Sequence, residues 1–309
     1  MTTKKIPESV LIFGAANHIG SPLAAFLTKE APQIKLRLVS SKEDKVPALK
    51  EAFPQAEVVV ANYLDAASMD AAVDGIEGMF VNAPPGLDET VVTNNLISSV
   101  KKSGTIVHLL RTTGLMPEAN IHRVPQALRD LPGDPFVQHH HTKSLLNASG
   151  LPVTFMNFGA TFMDNFLTMM AAGLRKDRKL IWCDRKVPYI DPLDIAEVAG
   201  RLLLSDNAGH IGQFHTLNNG QDLYRYSDVA PIMSEVLGEE ITFEGSQEAF
   251  MAQYGPMMGP FAPALWAFLS YEGANEEVWA LNDFVERTLG RKPNSLRNWL
   301  ADHKTQLLG

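Results

Sequence analysis

The chain has one cysteine, Cys183, among 309 residues. No intrachain disulfide can form, and a cytoplasmic, reducing compartment is expected. No apolar run approaches the roughly 20 residues of a membrane span. No N-terminal apolar segment has the length of a signal-peptide core with a cleavage site behind it. The run from Ser9 to Phe13 is short, is closed by Gly14, and reads as a strand. Positive charge is not in excess either: 27 Lys and Arg stand against 35 Asp and Glu, a net charge of −8. That argues against nucleic-acid binding, which needs a basic stripe. Repeats, low-complexity tracts, a Gly-x-Ser-x-Gly elbow and a Ser-His-Asp arrangement are all missing. The three consecutive histidines 139–141 cannot converge on one ion from a regular helix, and no second cluster has zinc spacing, so no metal is expected.

What is present is an ordinary globular composition, 45% hydrophobic and 20% charged. Through the first 150 residues, short apolar runs alternate with helical patterns. Strands are expected at Val10–Phe13, Leu36–Val39, Glu57–Val60, Gly78–Val81, Thr105–Leu110 and Pro152–Asn157. Helices are expected at Ile19–Lys29, Val46–Phe53, Ala66–Val73 (capped by Asp65 or Ser68), Thr90–Ser103 (closed by Gly104) and Asp134–Ser149. This alternation predicts βαβ units and a doubly wound, Rossmann-type α/β fold with a parallel sheet.

Beyond Asn157 the pattern loosens. Strands are expected at Lys179–Cys183 and Gln213–Leu217. Helices are expected at Leu193–Leu204, Tyr226–Leu237, Pro263–Leu269, Glu276–Leu289 and Ser295–Leu307. Residues 1–157 are therefore read as a dinucleotide-binding domain, with 187–200 and 213–217 returning to it. Residues 158–309 are mainly a smaller C-terminal α+β substrate lobe. The aromatic and Met-rich stretch from Phe250 to Tyr271 reads either as a core helix pair or as the lining of an apolar pocket.

Gly14, Ala15, Ala16, Asn17, His18, Ile19 and Gly20 follow the first strand and open the first helix. Gly14 permits the tight turn and Gly20 permits close helix–strand packing, so the loop and helix N–H groups can face a pyrophosphate. Asn17 stands where a third glycine is common, and Asn tolerates the left-handed region. The second strand exits through Ser40, Ser41 and Lys42. Two hydroxyls and a lysine suit a 2′-phosphate better than the carboxylate of NAD-binding chains does, so NADP(H) is favoured over NAD(H). Lys42 also reads as a solvated loop lysine.

These residues resemble the NmrA-like family of atypical short-chain dehydrogenases/reductases over nearly the whole chain. The family opens on Gly-Ala-Thr-Gly-x-x-Gly. Val81, Asn82, Ala83 and Pro84 resemble its fourth-strand end beside the cofactor. The stretch from His139 to Lys143, with Ser149 to Thr154, is the most specific match. Gly159 to Asn165, carrying Phe162 and Met163, resembles its turn after the sixth strand. Tyr189 to Asp191, with Asp194 to Ala196, resembles the segment joining sheet and lobe. The chain departs from the pattern at Asn17, at Ser41 (an arginine in many members) and at Asn157 and Phe158 (frequently Arg-Pro). The resemblance implies a cofactor site that includes Phe158 and a substrate pocket that includes Phe162, Met163 and Tyr189.

The better-known short-chain dehydrogenases use Tyr-x-x-x-Lys on one helix face. Here no tyrosine precedes a suitable lysine, and His139-x-x-x-Lys143 takes its place. Lys143 can hold the nicotinamide ribose. His139 can donate a proton, because its ordinary pKa lies near neutrality, and His140 is the alternative donor. Both also read as polar helix residues, as does His141. Arg111, taken as the end of the fifth strand, reads as a contact to phosphate or an acidic substrate, or as a surface ion pair. Cys183 reads as a buried small hydrophobe.

The reading is an NADP(H)-dependent reductase of a small, largely apolar carbonyl, imine, enone or quinone. A non-catalytic NAD(P)-binding sensor is the alternative, and an isomerase or lyase a weaker third. A small-molecule substrate is expected as partner. A homodimer is admitted.

Overall fold

The computed structural model describes residues 2–84, 86–115, 120–133 and 135–309. In chain order these form β1 (Ser9–Ile12), α1 (Gly20–Glu30), β2 (Lys35–Ser40), α2 (Val46–Ala52), β3 (Glu57–Val60), α3 (Ala66–Val73), β4 (Gly78–Val81), α4 (Glu89–Ser103), β5 (His108–Thr113), α5 (Gln126–Arg129), α6 (Gln138–Ser149) and β6 (Val153–Asn157). Then follow β7 (Thr161–Phe162), α7 (Ala171–Asp177), β8 (Lys179–Ile181), β9 (Lys186–Ile190), α8 (Pro192–Leu204), β10 (Phe214–Thr216), β11 (Leu223–Arg225), α9 (Tyr226–Leu237), β12 (Thr242–Glu244), α10 (Gln247–Met258), α11 (Phe261–Gly273), α12 (Phe284–Leu289), α13 (Leu296–Asp302) and α14 (Lys304–Leu308). No helix among the described residues is long and apolar enough to cross a membrane.

The chain divides into two compact units. The first comprises Met1–Leu115, Pro132–Phe158 and Leu193–Thr216. Its seven strands run in the order β10-β6-β5-β4-β1-β2-β3, and every pairing is parallel. The order reverses between β1 and β4, the switch point at which a doubly wound sheet opens a crevice. Helices cover both faces. α3, α4 and α6 pack side by side over a core of Leu11, Val39, Met79, Val81, Val92, Leu96, Leu109 and Leu146. α1 and α8 meet on the other face, where a Cβ at Gly200 would fall 2.2 Å from the Phe26 ring.

Local chemistry sets the helix ends. The Asp65 carboxylate accepts the N–H of Ala67 and Ser68, and Asp88 caps α4 in the same way at Thr90 and Val91. Gly104 closes α4 in the left-handed conformation. The proposed cap of α6 at Asp134 lies outside the described residues, and α6 begins at Gln138. The fifth strand starts three residues later than its apolar pattern suggests and runs on to Thr113, because Thr112 and Thr113 pair with Met156 and Asn157. Arg111 is therefore inside the strand and does not end it.

The second unit comprises Met116–Leu131, Gly159–Pro192 and Leu217–Gly309. β11, β9 and β7 form one small sheet, and β12 with β8 a second. Residues 187–190 lie in β9 and belong here, not to the first unit. The Phe250–Tyr271 stretch folds into α10 and α11, which bury Phe250, Tyr254, Ala262 and Leu269 in the unit's core, while Met257 and Phe261 stay exposed. The expected helix at Glu276–Leu289 is split, with only a short 3-10 turn at Glu276–Val278 before α12. The closing helix breaks at His303, whose ring stacks on Trp299 with centroids 4.1 Å apart.

Candidate functional site

The glycine loop leaves β1 at the switch point. Gly14 has φ +73°, and a Cβ there would fall 2.5 Å from Asn17 Nδ2. A Cβ at Gly20 would stand 2.1 Å from the Gly14 carbonyl oxygen, so the turn closes only without one. Such a cradle fits a dinucleotide pyrophosphate, which needs close backbone approach and a helix N-terminus. Asn17 does not take the left-handed conformation that its type permits: Arg178 is the only non-glycine with positive φ among the described residues. Its side chain works instead. Oδ1 accepts the N–H of Ile19 at 3.0 Å and of Gly20 at 2.7 Å, capping α1. Ala15 and Ile19 are sealed in the core; Ala16 and His18 are exposed.

The exits of the neighbouring strands line up beside this loop. After β2, the buried Ser40 hydroxyl donates to the Lys42 carbonyl at 2.6 Å and tightens the turn, while Ser41 and Lys42 are exposed. After β4, Asn82 Oδ1 accepts from the Thr112 hydroxyl at 3.0 Å, and the Asn82 carbonyl would stand 3.5 Å from a Cβ on Gly14. Ala83 is half-buried and Pro84 exposed.

Arg111 is neither a surface ion pair nor free for a ligand. Its side chain is 1% exposed, and Nη2 donates to both oxygens of Glu89, at 2.8 and 2.7 Å. Nη1 donates to the Thr112 carbonyl at 2.7 Å, and the Thr142 hydroxyl reaches Glu89 Oε2 at 2.9 Å. A guanidinium in a central strand must find its counter-ion inside the fold, and the first residue of α4 supplies it. Glu89 was not singled out from the sequence. The signal available was an arginine directly after the apolar pair Leu109-Leu110 of a central strand, where a guanidinium calls for a buried counter-ion. The Tyr63 hydroxyl, sealed nearby without a hydrogen-bond partner, is pushed up by burial, against the opposing pull of Arg111.

On α6, His139 and Lys143 share a face, as their spacing requires. The Nε2 and Cδ2 atoms of His139 lie 3.8 Å from where a Cβ on Gly114 would stand. Burial, helped by the Arg111 charge and opposed by Glu89, lowers its pKa to about 4. The expectation of a donor with a near-neutral pKa is therefore corrected: the environment favours the uncharged ring at neutral pH. His140 is also lowered, by burial and by the charges of His141 and Lys143. The Lys143 ammonium rests over the Phe214 ring of β10, 5.2 Å from its centroid. Where the family often carries Arg-Pro, Asn157 accepts from the Thr113 hydroxyl and Leu115 N–H and donates to the Leu115 carbonyl, tying the loop after β5 to β6. The half-buried Phe158 donates its N–H to the Thr113 carbonyl at 2.7 Å.

In the second unit, Met163 and Tyr189 are sealed within the hydrophobic core and Phe162 is half-buried. Burial raises the Tyr189 hydroxyl well above its ordinary pKa. Met163 and Tyr189 thus depart from the expected pocket lining: Tyr189 on β9 and Met163, at the start of the 3-10 turn after β7, both pack into the hydrophobic core of this unit. Cys183 is buried, and burial pushes its thiol up.

The Streptomyces griseus subsp. griseus (4-alkanoyl-5-oxo-2,5-dihydrofuran-3-yl)methyl phosphate reductase is 24% identical over 303 residues, spanning 95% of this chain and 97% of that protein. Among solved structures, the NADPH-dependent quinone oxidoreductase of Escherichia coli complexed with NADPH is similar with a TM-score of 0.75 at 20% identity, covering 97% of this chain and 100% of that one. The Citrobacter sp. triphenylmethane reductase complexed with NADP(H) is similar with a TM-score of 0.77 at 18% identity, covering 95% and 99%. The profile of the NmrA-like family matches residues 7–298, and with its glycine loop at the switch point of a seven-stranded parallel sheet the chain belongs to that family.

Proposed function

We propose that the protein is an NADP(H)-dependent reductase of a small, largely apolar carbonyl, imine, enone or quinone. The observation that carries this reading is the glycine loop, in which a Cβ at Gly20 would collide with the Gly14 backbone at 2.1 Å. Glycine at these two positions lets the loop close tightly, so that its N–H groups and the start of α1 can face a pyrophosphate. A bound reduced nicotinamide supplies the hydride. The chain's own groups bind and orient: Gly14 to Gly20 hold the pyrophosphate, Lys42 with Ser41 the 2′-phosphate, Asn82 to Pro84 and Phe158 flank the cofactor, and Lys143 leaves Phe214 for the ribose. The reductase names of the similar proteins support the reaction class.

Consumption of NADPH with a panel of quinones, enones and imines tests the reading, and turnover of at least one class is expected. Tight binding in calorimetry with no consumption would favour a cofactor sensor instead, a reading supported by the histidine that stands where a tyrosine is usual. Absence of dinucleotide binding would remove both.

Cofactor choice has its own test. Lys42 is exposed, so pairing with a 2′-phosphate would be a charge-assisted contact worth about 1.5–3 kcal/mol. Lys42→Ala is expected to weaken NADPH binding about 10- to 100-fold and to leave NADH binding unchanged. Equal effects on both cofactors would withdraw the assignment.

A further inference from the structure

His139 lies in the first turn of α6, and several features act on its ring in the same direction. Nδ1 is sealed and has no hydrogen-bond partner, whereas the Nε2 edge lies against Gly114, a residue without a side chain. The charged groups acting on the ring come from three elements: Arg111 on β5, Glu89 on α4 and His140 on α6 itself. Glu89 directs its oxygens to Arg111 and the Thr142 hydroxyl, and Nδ1 of the ring makes no hydrogen bond to it. A second ring proton would sit sealed without an acceptor. It would also add positive charge at a helix N-terminus, where the unpaired N–H groups already carry a partial one. A single proton has two places to go. Orphaned buried N–H groups are rarer than under-satisfied acceptors, so the lone pair belongs on Nδ1 and the proton on Nε2.

We propose that His139 works as an uncharged Nε2–H hydrogen-bond donor to the oxygen of the substrate and does not itself release a proton. This rests on the reductase reading above. When hydride adds to the substrate carbon, the displaced π pair moves to the oxygen. That oxygen accepts the Nε2 hydrogen bond and takes its proton from water. A neutral histidine held at a helix N-terminus suits this task, because it polarises an oxygen at every pH near neutrality.

The first test needs no turnover. Ring nitrogen NMR signals of histidine-labelled protein are assigned to His139 by their loss in His139→Gln. They are expected to report the neutral Nε2–H tautomer, unchanged between about pH 5 and 8. Titration inside that window, or an Nδ1–H tautomer, overturns the proposal. The second test uses whichever quinone or enone is reduced. His139→Gln keeps an N–H donor and is expected to stay within about tenfold of wild type, while His139→Ala loses about 100-fold in kcat. Equal losses in the two variants would end the donor role. If every surrogate is refused, the reductase reading falls and the substrate contact with it, while the ring signals still decide the protonation state.

Discussion

Gly20→Ala is expected to abolish dinucleotide binding. The added methyl would stand 2.1 Å from the Gly14 oxygen, 2.7 Å from the Gly14 carbon and 3.0 Å from the Ala15 Cα. All three are backbone atoms, so no side chain can swing aside, and the loop must open. Opening breaks the Asn17 contacts to Ile19 and Gly20 and misaligns the N–H groups at the start of α1. Losing two charge-assisted contacts to a pyrophosphate costs on the order of 3 kcal/mol, so affinity should fall about 100-fold or more. Calorimetric titration with NADPH and NADH measures it. Gly255→Ala in α10 is the matched control, since a Cβ there meets nothing within 4 Å. Unchanged affinity in Gly20→Ala would place any cofactor away from this loop.

The largest effect on stability is expected at Glu89. Glu89→Ala leaves the Arg111 guanidinium buried without its counter-ion and takes the acceptor from Thr142. Breaking a buried pair from one side costs about 3–5 kcal/mol, most of it the penalty of the stranded charge. Urea denaturation at pH 7 reads that loss. The double variant Glu89→Gln, Arg111→Met removes the charge along with its partner and should be more stable than Glu89→Ala alone. A single variant within about 1 kcal/mol of wild type would mean that Arg111 reaches water as a surface pair does.

These two residues show where sequence reasoning works and where it stops. Gly20 could be read directly, because the collision it avoids is with residues five and six positions away and the turn that creates it is local. The same holds for the cap at Asp65 and for the stop at Gly104, each decided within one helical turn. Glu89 could not be read as Arg111's partner. The two are 22 positions apart, and only the packing of α4 on the sheet makes them neighbours. Asn17 falls between these cases: its position in the loop was legible, but its role as a cap on α1 was not, because that depends on which way the carboxamide turns.

The sequence by itself determined the alternation of strands and helices, the parallel sheet it implies and the glycine loop at the first crossover. Periodicity, caps and glycine conformations are properties of neighbouring residues, and they survive in a linear reading. Tertiary structure decided the protonation of His139, the burial of Arg111 with Glu89 and the inward turn of Tyr189 and Met163. An ionisable or aromatic side chain takes its properties from what surrounds it. His139 has the ordinary imidazole of any histidine in the chain. Half-buried at the start of α6 near Arg111, with Nδ1 sealed, it is a neutral ring with a pKa lowered to about 4.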